Sequence, residues 1–298
     1  MKSIIVTGAN GFIGSSLVKK LINNNNKVIA IDVSFAESSL PKSNLIVQVE
    51  MDLLQIDEKY SEILSYDCDT FCHLAWRGVN GPEKADPIVQ LKNAELAIKC
   101  ATIAKNIGCK NFYCAGTIAE RASESLDHIK KTSGGIIYGI GKYCTRLMIE
   151  CYCKNIGLDF VWMQFSNIYG PTNRTGNLVS YTLDKLFKGE EATFGPALQP
   201  YDFLLADDLV EAIFRLLVIK PTKNFYFIGS GEPRLLKEYL IEIGSVFGRK
   251  DLIKLGIRED DGIRYNLEMF DPSELKKDIG NYISKSFTEG IKYTIDNY

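Results

Sequence analysis

The sequence predicts an α/β protein: a doubly wound parallel sheet with a smaller α+β lobe towards the carboxyl terminus. Short apolar runs alternate with longer amphipathic stretches over the first two thirds of the 298 residues. Strands that alternate with helices favour a parallel sheet with right-handed crossovers and helices on both faces. The apolar fraction of 46% and the charged fraction of 24% are those of an ordinary globular protein.

The individual elements follow from the spacing of apolar residues. Continuous apolar runs predict strands at 3–8, 27–32, 44–52, 69–76, 110–117, 158–166 and 224–229. Apolar residues at helical spacing predict helices at 11–24, 83–107, 138–157 and 205–219.

The alternation weakens after about residue 170, where helices are mixed with polar loops and no βαβ rhythm is left. We therefore expect a main domain of residues 1–169, to which 201–229 returns. The smaller lobe would be built from 170–200 and 230–298.

Composition and charge narrow the class of protein. The formal net charge of −2, with both signs interspersed, provides no basic surface for nucleic acid or an anionic membrane. No stretch reaches the ~20 apolar residues of a membrane span, and the amino terminus lacks a signal-peptide pattern. The eight cysteines are scattered without a CxxC, so we expect reduced thiols, no metal site and a cytoplasmic protein.

A glycine-rich turn follows the first strand. In "VTGANGFIGSSL", Gly8, Gly11 and Gly14 lie between a predicted strand and a predicted helix. Glycines there allow a tight turn and a close approach of the backbone to a pyrophosphate, which the helix N-terminus also attracts. This context, rather than the spacing alone, predicts a dinucleotide-binding domain of the Rossmann type.

Asp32 ends the second predicted strand, where an acidic side chain can accept hydrogen bonds from the adenosine ribose. A carboxylate there repels a 2′-phosphate, and no Arg or Lys occurs from Val33 to Leu40. NAD(H) is therefore favoured over NADP(H). The alternative is an Asp that only caps the next turn, and Asp52 is similarly placed near the adenine.

Tyr138 and Lys142 stand four residues apart in a predicted helix, so both side chains lie on one face. A free tyrosine with a pKa near ~10 is a poor base at neutral pH, and a nearby ammonium group stabilises its phenolate. Alone, the pair would be read as surface residues. The glycine turn, Asp32 and the Thr117 hydroxyl at a strand end favour a hydride-transfer site instead.

In these motifs the chain resembles the extended short-chain dehydrogenase/reductases, the branch of nucleotide-sugar epimerases, dehydratases and 4-ketoreductases. The resemblance spans nearly the whole chain and rests on TGANGFIG (7–14), Asp32, HLAW (73–76), Asn93, AGT (115–117), YGIGK (138–142), FSNIYGP (165–171) and YDFLLADDL (201–209). Within the branch, "HLAWRGVNG", "CAGTIAE" and "GSGEPRLLKEYL" look most similar to bacterial 4-keto-6-deoxy-sugar reductases such as the CDP-abequose synthase group.

The resemblance implies a role for each matching position. Tyr138 would be the general acid/base, Lys142 its helper, and Thr117 the partner of the reacting sugar oxygen. The cofactor would contact Gly8, Asn10, Gly11, Phe12, Ile13, Gly14, Asp32, Asp52, Leu53, Leu74, Ala75, Trp76, Asn93, Ala115, Tyr138, Lys142, Phe165, Asn167 and Ile168. The nucleotide-sugar substrate, bound mainly by the smaller lobe, would contact Trp76, Thr117, Asn167, Asn177, Leu178 and Tyr201.

Some positions depart from the family pattern. Ile118 and Ala119 stand where dehydratases carry Asp-Glu, so 4,6-dehydration is not expected. Tyr201 replaces an Arg that grips the diphosphate in many epimerases, and the candidate replacements are Arg174, Arg258 and Arg264. Gly141 precedes Lys142 where relatives commonly have Ser.

Three functions stay open at this point. The leading one is reduction of a 4-keto sugar, and the closest rival is a 4-epimerase, which uses the same residues without net redox. A non-catalytic dinucleotide-binding sensor is the third. His73 and His128 are interpreted as structural or solvated residues, and a homodimer through 83–107 and 138–156 is expected from the resemblance.

Overall fold

The computed structural model describes residues 3–64, 66–124, 134–173, 176–260, 262 and 265–298. Its main sheet has seven strands in the order β3-β2-β1-β4-β5-β6-β11, and every neighbouring pair is parallel. These strands are β1 (Ser3–Thr7), β2 (Val28–Asp32), β3 (Ile46–Glu50), β4 (Cys68–His73), β5 (Asn111–Thr117), β6 (Asp159–Phe165) and β11 (Phe225–Ile228). The predicted fold class is confirmed.

Helices cover both faces of this sheet. They are α1 (Phe12–Asn23), α2 (Ile56–Lys59), α3 (Pro87–Asn106), α4 (Ala119–Glu124), α5 (Gly134–Ile156), α6 (Leu178–Phe187), α7 (Ala206–Val218), α8 (Leu236–Phe247), α9 (Ser273–Ile279) and α10 (Phe287–Asp296). Alternate residues of β1 enter different cores: Ile4 and Val6 pack with α1 and α7, whereas Ile5 packs with α3 and α5. The strand is buried on both sides, which explains its uninterrupted apolar run.

Three short sheets lie outside the main one. β7 (Asn167–Tyr169) pairs with β10 (Phe203–Leu205), β8 (Ala192–Thr193) with β13 (Ile253–Lys254), and β9 (Pro200–Tyr201) with β12 (Arg234–Leu235). A third apolar core, which includes Leu183, Leu240 and Ile291, joins α6, α8 and α10. The division of the chain into two lobes stays a prediction.

The long helix expected at 83–107 begins later than the pattern indicates. Pro82–Ala85 forms a 3₁₀ helix, and α3 starts at Pro87. The Asp86 carboxylate caps α3 by accepting the backbone N–H groups of Ile88 and Val89. Asp at the N-cap followed by Pro at the first position is a favoured helix start.

The described ranges also bear on membrane insertion, metal binding and disulfide formation. In the part of the chain that the structure describes, no helix has the length and apolar character needed to cross a membrane. The same ranges contain no group of three or more His, Cys, Asp or Glu side chains that could bind a metal ion. The eight cysteines are free thiols, as predicted.

Candidate active site

In the turn between β1 and α1, backbone segments lie so close together that a side chain would not fit between them. Gly8 has φ +68°, the left-handed region that favours glycine, and a Cβ there would lie 2.9 Å from the Ala75 backbone nitrogen. A Cβ on Gly14 would lie 1.9 Å from the Gly8 carbonyl oxygen. The glycines therefore hold the strand, the turn and the helix close together, as a dinucleotide-binding turn requires.

The amino-terminal end of α1 opens onto this turn. Gly11 is the N-cap residue, and among the described residues no side chain caps the first N–H groups of the helix. Such N–H groups, together with the positive end of the helix dipole, suit a pyrophosphate.

Asp32 connects the end of β2 to the glycine turn. Its two carboxylate oxygens accept the backbone N–H groups of Asn10 and Val33, each at 2.8 Å, and Asn10 Nδ2 donates to the Ser34 carbonyl at 3.0 Å. A carboxylate has about four acceptor sites, so Asp32 keeps capacity for the hydroxyls of a ribose. These residues fit the predicted NAD.

A single cleft of about 940 Å³ brings most of the predicted residues together at the carboxyl edge of the sheet. It is lined by Gly8, Gly11, Phe12, Ile13, Gly14, Asp32, Asp52, Leu53, Leu74, Ala75, Trp76, Asn93, Thr117, Tyr138, Phe165, Asn167, Ile168 and Asn177. Asn10, Ala115 and Lys142 lie outside this lining but bond to it or to one another. Asp52 also caps the 3₁₀ helix Leu53–Gln55. The roles of all these residues stay predictions.

Thr117 and Tyr138 line the main cleft, and Lys142 lies behind this lining, one helical turn from Tyr138. Thr117 ends β5, Tyr138 and Lys142 lie one turn apart on α5, and the Thr117 hydroxyl hydrogen-bonds to Tyr138. The Lys142 side chain is 3% exposed and donates from Nζ to the Ala115 carbonyl at 2.6 Å. This contact anchors α5 to β5, and with it the position of Tyr138 relative to Thr117.

Burial affects the two titratable groups in opposite directions. It raises the pKa of the Tyr138 hydroxyl, which the hydrogen bond from Thr117 partly offsets. It lowers the pKa of Lys142, which the neighbouring Cys114 and Glu120 partly restore. Both changes favour the uncharged side chains, because a low-dielectric site penalises charge. The pKa of Lys142 is lowered only to about 8, so its ammonium form still predominates at neutral pH.

Trp76 packs directly on Tyr138 and Lys142. Its ring centre lies 3.6 Å from Lys142 Nζ, and the ring meets Tyr138 edge-on at 6.4 Å. Trp76 Nε1 donates to Gln90 Oε1 at 2.8 Å. Gln90 Nε2 donates to the carbonyls of Gly78 and Glu83, each at 3.2 Å, so Gln90 fixes both the indole and the loop that follows it.

The glycine at position 141 is explained by the position of the Gln90 side chain. A Cβ at this position would lie 2.9 Å from the Gln90 Cβ, closer than real Cβ contacts. Glycine therefore makes room for the Gln90 side chain between α3 and α5.

Asn93 and His73 have supporting positions. Asn93 Nδ2 donates to the Arg77 carbonyl at 2.7 Å, and its Oδ1 accepts the Arg77 N–H at 2.9 Å. His73 is buried, its Nδ1 hydrogen-bonds with Thr7 Oγ1 at 2.9 Å, and burial lowers its pKa to about 3. His73 is therefore neutral at physiological pH, in agreement with its interpretation as a structural residue.

Two of the predicted substrate residues belong to a second cleft of about 260 Å³. Leu178 and Tyr201 line it together with Phe194, Gly195 and Arg258. Asn177, which precedes Leu178, lines the main cleft and caps α6 by accepting the Ser180 N–H at 2.9 Å. Successive residues at the start of α6 therefore line different clefts.

Of the candidate cations for a diphosphate, Arg258 is the one within the described ranges. Its guanidinium lies over the Tyr181 ring at 4.9 Å and donates to Tyr181 Oη at 2.5 Å and to Thr193 Oγ1 at 3.0 Å. Arg174 and Arg264, and also His128, lie outside the described residues.

Sequence reasoning missed three side chains at the site: Gln90, Lys84 and Glu120. Lys84 Nζ lies 5.2 Å from the centre of the Tyr138 ring, and Glu120 accepts the Thr117 N–H at 2.6 Å. Of these three residues, only Glu120 has a local sequence signal: it lies three residues after Thr117, at the start of a helix rich in small residues.

Comparison with known proteins gives a family match and full-length structural likeness. The model of the NAD dependent epimerase/dehydratase family matches residues 4–229, more than half of the chain. This match confirms the predicted resemblance and the predicted NAD cofactor.

Among curated relatives, the chain is 27% identical to dTDP-6-deoxy-L-talose 4-dehydrogenase (NAD(+)) of Aggregatibacter actinomycetemcomitans over 79% of this chain and 87% of that protein. It is 28% identical to UDP-glucuronic acid decarboxylase 6 of Arabidopsis thaliana over 72% of this chain but only 65% of that protein. Among solved structures, UDP-glucose 4-epimerase of Thermotoga maritima with UDP-glucose superposes with a TM-score of 0.80, at 23% identity and over 99% and 98% of the two chains.

Proposed function

Because this chain belongs to the NAD dependent epimerase/dehydratase family, we propose that it reduces a keto group at C4 of a nucleotide-linked 6-deoxyhexose. The observation that carries the proposal is that Thr117 and Tyr138 line the main cleft and hydrogen-bond to each other, with Lys142 held one helical turn from Tyr138. These residues provide a proton donor, a cation and a second hydroxyl around the place where a sugar oxygen would react.

The chemistry that NADH supplies when bound is a hydride for the carbonyl carbon. As the C=O bond becomes C–O, the Tyr138 hydroxyl would give its proton to the carbonyl oxygen, and the Thr117 hydroxyl would hold that oxygen in place. Lys142, beside Tyr138 and under Trp76, would stabilise the phenolate that is left until solvent returns a proton.

Dehydration is disfavoured by the residues after Thr117. Ile118 is buried in an apolar cluster, and neither Ile118 nor Ala119 carries a group able to move a proton. The described part of the chain therefore offers no acid–base pair for dehydration directly after Thr117.

The nucleotide half of the substrate would lie in the second cleft. That cleft is lined by Leu178 and Tyr201, and Leu178 directly follows Asn177 of the main cleft. Arg258 is the cation positioned there to meet a phosphate in place of the Arg that Tyr201 replaces.

Similarity to two known proteins bears on the choice between reduction and epimerisation. The relative from Aggregatibacter is named for oxidation at C4 of a 6-deoxy sugar, and the reverse of that reaction is reduction of a 4-keto group. The full-length likeness to a UDP-glucose 4-epimerase keeps 4-epimerisation as the second candidate.

The test uses the purified protein with NADH and a panel of CDP-, dTDP-, UDP- and GDP-linked 4-keto-6-deoxyhexoses, read by NADH absorbance and product NMR. Replacing Tyr138 by Phe should lower turnover by ~10²–10⁴, the usual contribution of general acid catalysis. NADH binding should stay nearly unchanged.

Tyr143→Phe is the matched control, because Tyr143 lies on the same helix and outside both clefts. Turnover like that of the wild type in Tyr138→Phe would refute the assignment. Interconversion of C4 epimers without NADH consumption would select the epimerase instead.

A further inference from the structure

Glu120 is a buried carboxylate directly behind the catalytic threonine. It lies in the first turn of α4, three residues after Thr117, and it is 0% exposed. Its Oε1 accepts the Thr117 backbone N–H at 2.6 Å. The proposed reaction does not use Glu120 as a proton donor, yet a buried carboxylate is costly unless it is fully hydrogen-bonded.

Among the described residues, the groups that hydrogen-bond to Glu120 are all N–H donors, and Arg146 Nε lies nearby without such a bond. Trp162 Nε1 lies 3.2 and 3.1 Å from the two carboxylate oxygens, Gln164 Nε2 donates to Oε2 at 3.1 Å, and Arg146 Nε lies 3.6 Å from Oε2. A backbone N–H and an indole N–H can only donate, so the O–H of a protonated carboxyl would find no acceptor in either group. These hydrogen bonds therefore favour the ionised form of Glu120, against the effect of burial.

Gly116 allows this close approach to the end of β5. A Cβ at Gly116 would lie 2.1 Å from Trp162 Nε1 and 2.6 Å from Glu120 Oε1. The carboxylate and the indole thus occupy the space of the missing side chain, one residue before Thr117.

We propose that Glu120 is a positioning residue of the hydride-transfer site, whose negative charge keeps Tyr138 as the phenol that donates a proton. The proposal deepens the proposed function, on which it rests. Glu120 acts through other residues of the site. It holds the Thr117 backbone by a hydrogen bond, and its charge acts on the Tyr138–Lys142 pair.

The charges around the pair come from several elements. Lys142 lies one helical turn from Tyr138 on α5, and Lys84 in the 3₁₀ helix Pro82–Ala85 lies over the Tyr138 ring. A positive charge near a phenol favours phenolate, whereas Glu120 on α4 opposes it. The Cys114 thiol on β5 also lies near Lys142. Arg146 on α5 also pairs with Glu124, and Glu124 pairs with Arg121.

The titration directions agree with this geometry. Glu120 raises the pKa of Tyr138 after the larger effect of burial, and it also raises that of Lys142. Burial raises the pKa of Glu120 itself to about 7, although the Thr117 N–H, Arg146, Gln164 and Lys142 each lower it. Glu120 is therefore ionised at the alkaline pH at which a phenol titrates.

The experiment is a titration of the NAD⁺ complex in which ultraviolet absorbance reports phenolate. The Tyr138 signal is obtained by subtracting the matched Tyr138→Phe protein. Replacing Glu120 by Gln removes a negative charge, so both protons of the Tyr138–Lys142 pair leave more easily. The phenolate midpoint should fall by about one pH unit.

Glu124→Gln is the control, because Glu124 shares Arg146 with Glu120 but is half-buried and does not bond to Thr117. Its Tyr138 midpoint should match that of the wild type. An unchanged or raised midpoint in Glu120→Gln, whatever its thermal stability, would overturn the proposal, since a merely structural role changes stability alone.

Glu120→Asp keeps the proposal testable where the Gln variant does not fold. It retains the charge but withdraws the carboxylate from Thr117, so the midpoint should stay near that of the wild type while kcat falls more than KM rises. A fall of about one pH unit in the midpoint of Glu120→Asp would show that charge is not the cause. Because the titration contains no sugar, its outcome is independent of whether any 4-keto sugar is reduced.

Discussion

Asp32 shows how one side chain can support both the fold of a turn and the choice of cofactor. Its oxygens accept the N–H groups of Asn10 and Val33, which fixes the glycine turn relative to β2. The same carboxylate would meet the ribose and repel a 2′-phosphate. At this position the turn-capping role and the cofactor-binding role are compatible rather than alternatives.

Replacing Asp32 by Asn should lower NADH affinity about 10- to 150-fold, because hydrogen bonds to a charged group contribute about 1.5–3 kcal/mol. The single amide oxygen can serve only one of the two N–H groups in the same way. Loss of the charge should also reduce the preference for NADH over NADPH. Both affinities can be measured by fluorescence titration.

Glu37→Gln is the control for this prediction, because Glu37 is exposed in the same segment. Its NADH-to-NADPH affinity ratio should equal that of the wild type. An unchanged ratio in Asp32→Asn would contradict the selectivity argument.

At the scale of elements, the packing of α3 against α5 influences the surroundings of the Tyr138–Lys142 pair. Gly141 of α5 admits Gln90 of α3, and Gln90 holds the indole of Trp76 over Lys142. The sequence left the role of Trp76 open between cofactor packing and sugar binding. The structure adds a direct contact with Lys142 and Tyr138.

Introducing the Ser that relatives carry, by Gly141→Ser, should displace Gln90 and release Trp76. We expect turnover to fall about 10- to 100-fold, since small displacements at a reacting centre are costly. Trp76 fluorescence should change at the same time, measured in a Trp162→Phe background that removes the other tryptophan.

Cys144→Ser provides the comparison for this helix, because it adds a hydroxyl at an exposed position of α5. Its turnover should be unchanged. Normal turnover in Gly141→Ser would mean that Gln90 has another acceptable position.

At the scale of the whole molecule, α3 and α5 cover one face of the main sheet, and their outer surface carries exposed apolar side chains. Leu91 is 64% exposed, Leu147 44% and Met148 43%. The expected homodimer through these helices stays a prediction, and this face is the one that it would cover.

The paired substitutions Leu147→Glu and Met148→Glu should convert such a dimer into monomers, because they place charge on an apolar contact. Light scattering coupled to size-exclusion chromatography measures the mass directly. Leu198→Glu, at an exposed apolar position elsewhere in the chain, should leave the mass unchanged. A wild-type monomer at micromolar concentration would contradict the prediction.

The sequence by itself determined the sheet, the glycine turn, Asp32 and the Tyr138–Lys142 pair. These features depend on residues close together in the chain: apolar periodicity, a turn that tolerates only glycine, and two side chains one helical turn apart. It placed helix ends less well, because Asp86 and Pro87 set the start of α3 and the apolar pattern does not.

Tertiary structure alone decided which distant groups surround that pair. Glu120 bonds to Trp162, 42 residues later, and Trp76 bonds to Gln90 on a different helix. Tertiary packing also assigned Leu178 and Tyr201 to a second cleft. No local pattern specifies such contacts, because burial and hydrogen bonding between separate elements arise only when the sheet and its helices pack.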